Sequence, residues 1–211
     1  MIGAALFRFA RWLSKHPITG KVIGWGFQYG SGLIPVRQLV NTKWVTAFPH
    51  PQPSFDAHVL VIPKKAIATF LDLLKVENQR YLFALLETAR TLAAKWEWSA
   101  YSFGVNGGIY QDVRQVHFHL YGGQEHFRIY DGEVAHGMVF EHPNPARESH
   151  QVIALPINWQ DGMDVFASEF HRLIEAHAQK HKGYTIFIQF DPLPKGCGLV
   201  LHLVSGQTLH S

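Results

Sequence analysis

The spacing of apolar positions changes along the chain, and each change marks a predicted element. Leu6, Phe7, Ala10 and Leu13 recur at helical spacing with Arg8, Arg11 and Lys15 between them, which predicts a basic amphipathic helix. The glycine-rich GWGFQYGSG that follows reads as a connector. From Leu39 the pattern becomes that of strands. Trp44 to Phe48 is β-prone and runs into PHPQP, which cannot continue a ladder, and His58 to Ile62 is a second strand stopped by Pro63. A helix is predicted from about Glu77 to Trp96, with Leu82, Leu85, Leu86, Ala89, Leu92 and Ala93 on one face. Tyr101 to Val105 reads as a third strand, Asn106-Gly107-Gly108 as a turn by composition, and Val113 to Tyr121 as a fourth strand ending at Gly122-Gly123. Strands, a helix and further strands make an α+β order.

The second half repeats that order. Val139-Phe140 leads into EHPNP, and His150 to Leu155 reads as a strand. A helix follows near Asp164 to Lys180, with Phe166, Phe170, Leu173, Ile174 and His177 on one face, and Tyr184 to Phe190 and Leu199 to Val204 are strands. Two pairs of segments align without a gap. FPHPQPSFDAH and FEHPNPARESH share Phe, His, Pro, Pro and His, while Tyr101 to Gly123 aligns with Tyr184 to Gly206 and sets His119 against His202. Two matched segments in the same order, with a helix between them each time, read as an internal duplication.

Composition narrows the classes. An apolar fraction of 47% and an aromatic fraction of 13% over 211 residues are globular values, well away from disorder. A net charge of +3 suits a phosphate-bearing ligand and is no nucleic-acid footprint. The single cysteine, Cys197, excludes an internal disulfide, fits a reducing compartment and reads as a small core residue. No apolar run is long enough to span a bilayer, and Arg8 and Arg11 break up what would be a secretory segment. The expected location is the cytoplasm. Two readings of the first helix remain open: one packs it on the domain, the other lays it on an anionic membrane surface.

The candidate chemistry lies in QVHFHLYGG. On a strand, Gln115, His117 and His119 point to one face and Val116, Phe118 and Leu120 to the other, so an apolar back would hold two imidazoles rigidly side by side. A neutral imidazole nitrogen is a competent nucleophile toward phosphorus, and a second, cationic ring can neutralise phosphoryl oxygens. Alternating histidines also hold zinc or copper, but no cysteine and no nearby carboxylate cluster completes a ligand set here. Plain structural histidines are a third reading.

This segment resembles the motif of the histidine-triad superfamily, HφHφHφφ with φ apolar. Gln111 and Val113 fall where that family has its lead-in Gln-Ser/Thr-Val, and Asn106 falls on its upstream Asn. AFPHPQPSFDAHVLVIPKKAI is similar to the family's first strand pair, with Phe48, Pro53, His58 and Leu60 to Lys65 on matching positions. The resemblance covers about Ile34 to Gly123. It implies a nucleotide-binding enzyme without a cofactor or metal, in which His117 is the nucleophile and His119 and His58 contact phosphate oxygens or assist the leaving group. Asn106 and Gln111 would bind the phosphate region, and Phe48 would wall the base pocket. Three positions depart from the pattern. Gln115 replaces the first triad histidine, where the family uses mainly the backbone carbonyl to orient the nucleophile. Asp112 replaces a Ser or Thr, and His50 stands where an acidic residue usually grips the ribose. In the second copy Val200 holds the nucleophile position and Gly198 that of Gln115, so that copy reads as catalytically dead.

The domain expectation is therefore residues 1–33 as helix and connector, 34–126 as a histidine-triad domain carrying the site, and 127–211 as a degenerate repeat. The resemblance implies that each copy is an antiparallel sheet with a helix, and the two copies, preceded by the N-terminal helix, would form a pseudo-dimer within one chain, as monomer or homodimer. The expected activity is that of a nucleotidyl hydrolase or transferase on a nucleoside phosphate derivative, a dinucleoside polyphosphate or a phosphoramidate. The alternatives are a nucleotide sensor without catalysis, motivated by Gln115 and Asp112, and a metal-binding protein using His117 and His119.

Overall fold

The computed structural model describes residues 37–123, 139–141, 149–161, 163–190 and 193–205. The amphipathic segment at the start, the glycine-rich connector and the His142-Pro143 recurrence lie outside the described residues. Among the described residues no helix is long and apolar enough to cross a membrane.

The chain divides into two compact units. The described residues up to Tyr101, with Gln111–Gly123, form the first; Ser102–Tyr110 joins the described residues after Gly123 in the second. The first unit holds β1 (Val40–Asn41), β2 (Val45–Pro49) and β3 (His58–Pro63), then a short helix α1 (Phe70–Leu73), the long helix α2 (Gln79–Lys95) and β5 (Phe118–Gly122). Pairing runs β1 to β2, β2 to β3 and β3 to β5, antiparallel throughout. Every residue of β3 is buried, which explains its unbroken apolar run. Helix α2 buries Tyr81, Leu82, Leu85, Leu86, Ala89, Leu92 and Ala93 in one stripe and packs on β2, β3 and β5. At its end Glu97, at φ 54°, turns the chain away. The predicted stripe is the one that packs.

The fourth predicted strand is shorter than its alternating pattern. Only Phe118–Gly122 is in the ladder, because pairing with β3 stops at Val61–Phe118. Before that point the chain hydrogen-bonds to loop backbone. Val116 N–H donates to Ile67 O, and the Gln115 side chain donates to Pro63 O and Lys65 O. His117 therefore stands immediately ahead of the strand.

The second unit contains β4 (Tyr101–Gly108), β6 (Val139–Glu141), β7 (Ser149–Pro156), helix α3 (Met163–His181), β8 (Gly183–Gln189) and β9 (Cys197–Ser205). Its pairing order is β4-β8-β9-β7-β6, again antiparallel. Here the turn expected at Asn106-Gly107-Gly108 is strand, paired with Gly183 to Thr185. The reason lies across the ladder: a Cβ on Gly107 would fall 2.2 Å from the ring of Tyr184, so glycine is required for the ring to lie there. The strand ends at Gly108, whose φ of +61° suits glycine. At the other edge, β7 and β9 slip register between Leu155 and Pro156, where proline has no N–H to give. Cys197 is a buried core residue beside Val152, Ala154 and Val200. Helix α3 packs on β8 and buries Phe170, Ile174 and His177. Burial, with His181 and Lys180 nearby, pulls the His177 pKa down to about 4, so the ring is neutral at neutral pH.

Candidate active site

The site is built by strand parity. In β3, His58, Leu60 and Ile62 share a face, and the register sets His58 opposite Tyr121 and Leu60 opposite His119. Phe48 of β2 lies opposite Leu60 on the same face and packs with Leu60 and Ile62. The other parity, with Val59, Val61, Phe118 and Leu120, belongs to the core. Histidines from two neighbouring strands thus converge. His58 Nε2 lies 2.9 Å from His119 Nδ1, and both rings are buried.

Hydrogen-bond polarity assigns the protons. The Ser54 N–H donates to His58 Nδ1 at 3.3 Å, so the His58 proton sits on Nε2 and is donated to His119 Nδ1. A neutral His119 then carries its own proton on Nε2. Next in line, His117 lies with its ring centroid 5.1 Å from that of His119. Its Nδ1 is 2.8 Å from the carbonyl oxygen of Gln115, which can only accept. His117 Nδ1 is therefore the donor and Nε2 keeps the lone pair. The result is one ring nitrogen with its lone pair unprotonated beside one N–H donor, on a segment with an apolar back.

His50 joins this cluster. Its ring stacks on His58 at 4.0 Å and 8°, and its Nδ1 accepts the Gln52 N–H at 3.1 Å. Ligand atoms of His50, His58 and His119 all lie within 4.8 Å of one another, close enough for one ion. The polarity is unfavourable for that use. A metal-bound histidine normally donates its other N–H outward, whereas His50 and His58 both accept backbone N–H groups on Nδ1. Rings with protons on the inner nitrogens suit an oxyanion better than a cation. The metal reading from sequence paired His117 with His119; the ligand atoms that converge belong to His50, His58 and His119.

The remaining expected residues fall as follows. The Gln115 side chain is buried and tied to the loop carbonyls, so its backbone carbonyl is what it offers His117. Gln111 uses its amide N–H groups on Ala68 O and Val113 O. Asp112 is exposed. Asn106 belongs to the second unit, where it is buried and accepts a hydrogen bond from Thr185 Oγ1 at 2.7 Å. Sequence reasoning missed Tyr121, whose ring lies 4.4 Å from His58 and in turn meets Phe55 edge-on at 5.0 Å. Alternation pointed to it, since Tyr121 follows His119 by two residues. Burial pushes its hydroxyl pKa well up, so Tyr121 stays protonated.

The second unit repeats the dyad. His150 Nε2 lies 3.1 Å from His202 Nδ1, the same pair of nitrogens as in His58 and His119. Here His202 Nε2 meets Gln189 Oε1 at 3.2 Å, and His202 is fully buried. Val200, two residues before His202, has no nitrogen to offer.

A histidine dyad joining two antiparallel strands, with a third ring oriented by the carbonyl two residues before it, defines a histidine-triad type of site. Comparison with known proteins agrees. The HIT domain model matches residues 32–126. A HIT-like protein of Synechococcus elongatus, itself uncharacterized, is 32% identical over 115 residues, covering 53% of this chain and 94% of that one. An adenosine 5′-monophosphoramidase of Saccharomyces cerevisiae is 34% identical over 89 residues, 41% of this chain and 54% of the yeast protein. Among solved structures, a DUF4931 family protein of Bacillus cereus covers 83% of this chain and 87% of its own, with a TM-score of 0.54 and 13% identity, a likeness of fold alone. The chain belongs to the HIT family.

Proposed function

We propose that this protein is a nucleotidyl hydrolase or transferase acting on a nucleoside phosphate derivative, through a covalent intermediate on His117. The observation that carries the proposal is the 2.8 Å bond from His117 Nδ1 to the Gln115 carbonyl, because it leaves Nε2 unprotonated and aimed by a fixed ring. In the first step Nε2 attacks phosphorus, an N–P bond forms, and the bond from phosphorus to the leaving group breaks. The leaving group departs with a proton from the His119–His58 pair, which takes up one proton beyond its neutral form with the anionic substrate and is left neutral by the transfer. In the second step water, or another acceptor, attacks phosphorus; the N–P bond breaks and the pair recovers its proton. Burial of His119 strengthens the hydrogen bond that its Nε2–H gives to a phosphoryl oxygen, and His58 holds that ring in place.

The Gln115 substitution is compatible with this chemistry, since the carbonyl rather than the side chain orients His117. Asp112, being exposed, adds no buried negative charge. Both points weigh against a sensor without catalysis. The yeast relative is a monophosphoramidase, which makes a nucleoside phosphoramidate a natural first substrate, with dinucleoside polyphosphates second. Incubation with a panel of these compounds should release nucleoside monophosphate. Tight binding to the panel with no turnover would instead establish the sensor.

We read the second unit as a degenerate copy of the first. The support is the repeated dyad, together with Val200 at the nucleophile position and Gln189 bonded to the dyad's outer nitrogen.

A further inference from the structure

The second unit carries a pair of imidazoles that this reaction does not use. His177 and His181 are one helical turn apart on α3, with ring centroids 4.6 Å apart. They border a cavity of about 160 Å³, closed on the other side by Ser149 and Gln151 of β7. His177 is only 4% exposed. Its Nε2 and the Oε1 of Gln151 are both buried without a hydrogen-bond partner. A buried polar atom that nothing meets keeps its full desolvation penalty. Both residues line one cavity.

The donor set indicates what a guest there would be. An imidazole nitrogen that is neutral at neutral pH, a second imidazole at i+4 and an amide carbonyl oxygen are all Lewis bases, and histidines at i and i+4 share one helix face. We propose that His177, His181 and Gln151 form a site for a divalent transition-metal ion of the imidazole-preferring kind, with zinc as the representative. No part of this proposal depends on the nucleotide chemistry of the first unit. Lys180 also borders the cavity and opposes a cation there. Its side chain is exposed, so the ammonium can turn to solvent, at a cost to affinity that its removal would recover.

The test is calorimetric titration of the full chain, stripped of metal by a chelator, with zinc chloride. One equivalent is expected to bind. Substituting His181→Ala, where the ring is partly exposed and folding is not at stake, should weaken binding by roughly tenfold or more, and His177→Ala should do the same. Lys180→Ala should tighten it. As a second readout, saturating zinc should raise the unfolding temperature of the wild type and not of His181→Ala. Absence of binding overturns the proposal. So does binding that survives both substitutions, or that is lost instead in His58→Ala, which would move the ion to the first unit's histidine cluster.

Discussion

Replacing His117 by alanine is expected to lower turnover by on the order of 10⁴-fold or more while leaving the chain folded, because the reaction loses its nucleophile rather than a contact. His117 is only partly buried and stands ahead of β5, outside the strand ladder. Its side-chain bond to the Gln115 carbonyl serves orientation, and removal of the partly exposed ring opens that buried carbonyl to water, which keeps the cost to folding small. Circular dichroism and urea unfolding should therefore match the wild type, while steady-state release of nucleoside monophosphate falls to background. Unchanged turnover would remove His117 from the mechanism.

The largest effect on stability is expected at Phe118, the residue between His117 and His119 in sequence. Phe118 is fully buried, pairs with Val61 across the ladder and meets Phe70 of α1 at 6.2 Å. Truncation to alanine removes a whole aromatic ring from a core that cannot close over the gap. The expected cost is about 3–5 kcal/mol in urea unfolding. Phe118→Leu should cost much less, since most of the volume stays. Activity per folded molecule should also drop in the alanine variant, because Phe118 anchors the segment that carries His117 and His119. A loss of stability below about 1 kcal/mol would mean that the residue is not the core anchor described.

What was legible in the sequence was whatever depends on period. The stripe from Leu82 to Ala93 repeats at helical spacing and packs as α2, and the unbroken apolar run of His58–Pro63 is a strand buried on both faces. Parity also put His117 and His119 together and foretold an apolar back. What escaped depends on partners far away in the chain. Gln115 read as part of a strand running from Val113 to Tyr121; its amide instead reaches the carbonyls of Pro63 and Lys65, and that ties the segment to a loop. Asn106-Gly107-Gly108 has the composition of a turn, but the Tyr184 ring demands a bare backbone at Gly107 within a strand. The stacking of His50 on His58, and the approach of His58 to Tyr121, follow from the β3–β5 register and from the loop after β2, neither of which leaves a local signature.

The same distinction applies to the second unit. Its dyad was visible as two aligned histidines, and the structure brings the same nitrogens together. That Gln189 occupies the outer nitrogen of His202 was not visible, because it requires the register of β8 with β9.

The central claim is that His117 Nε2 forms a bond to phosphorus. Rapid acid-free quenching of the enzyme with a nucleoside phosphoramidate labelled on phosphorus, followed by peptide mapping, tests it directly. The account predicts label on the peptide containing His117, stable in base, released by acid, and missing from His117→Ala. Turnover at full rate with no label on that peptide, or label retained in the alanine variant, would contradict it.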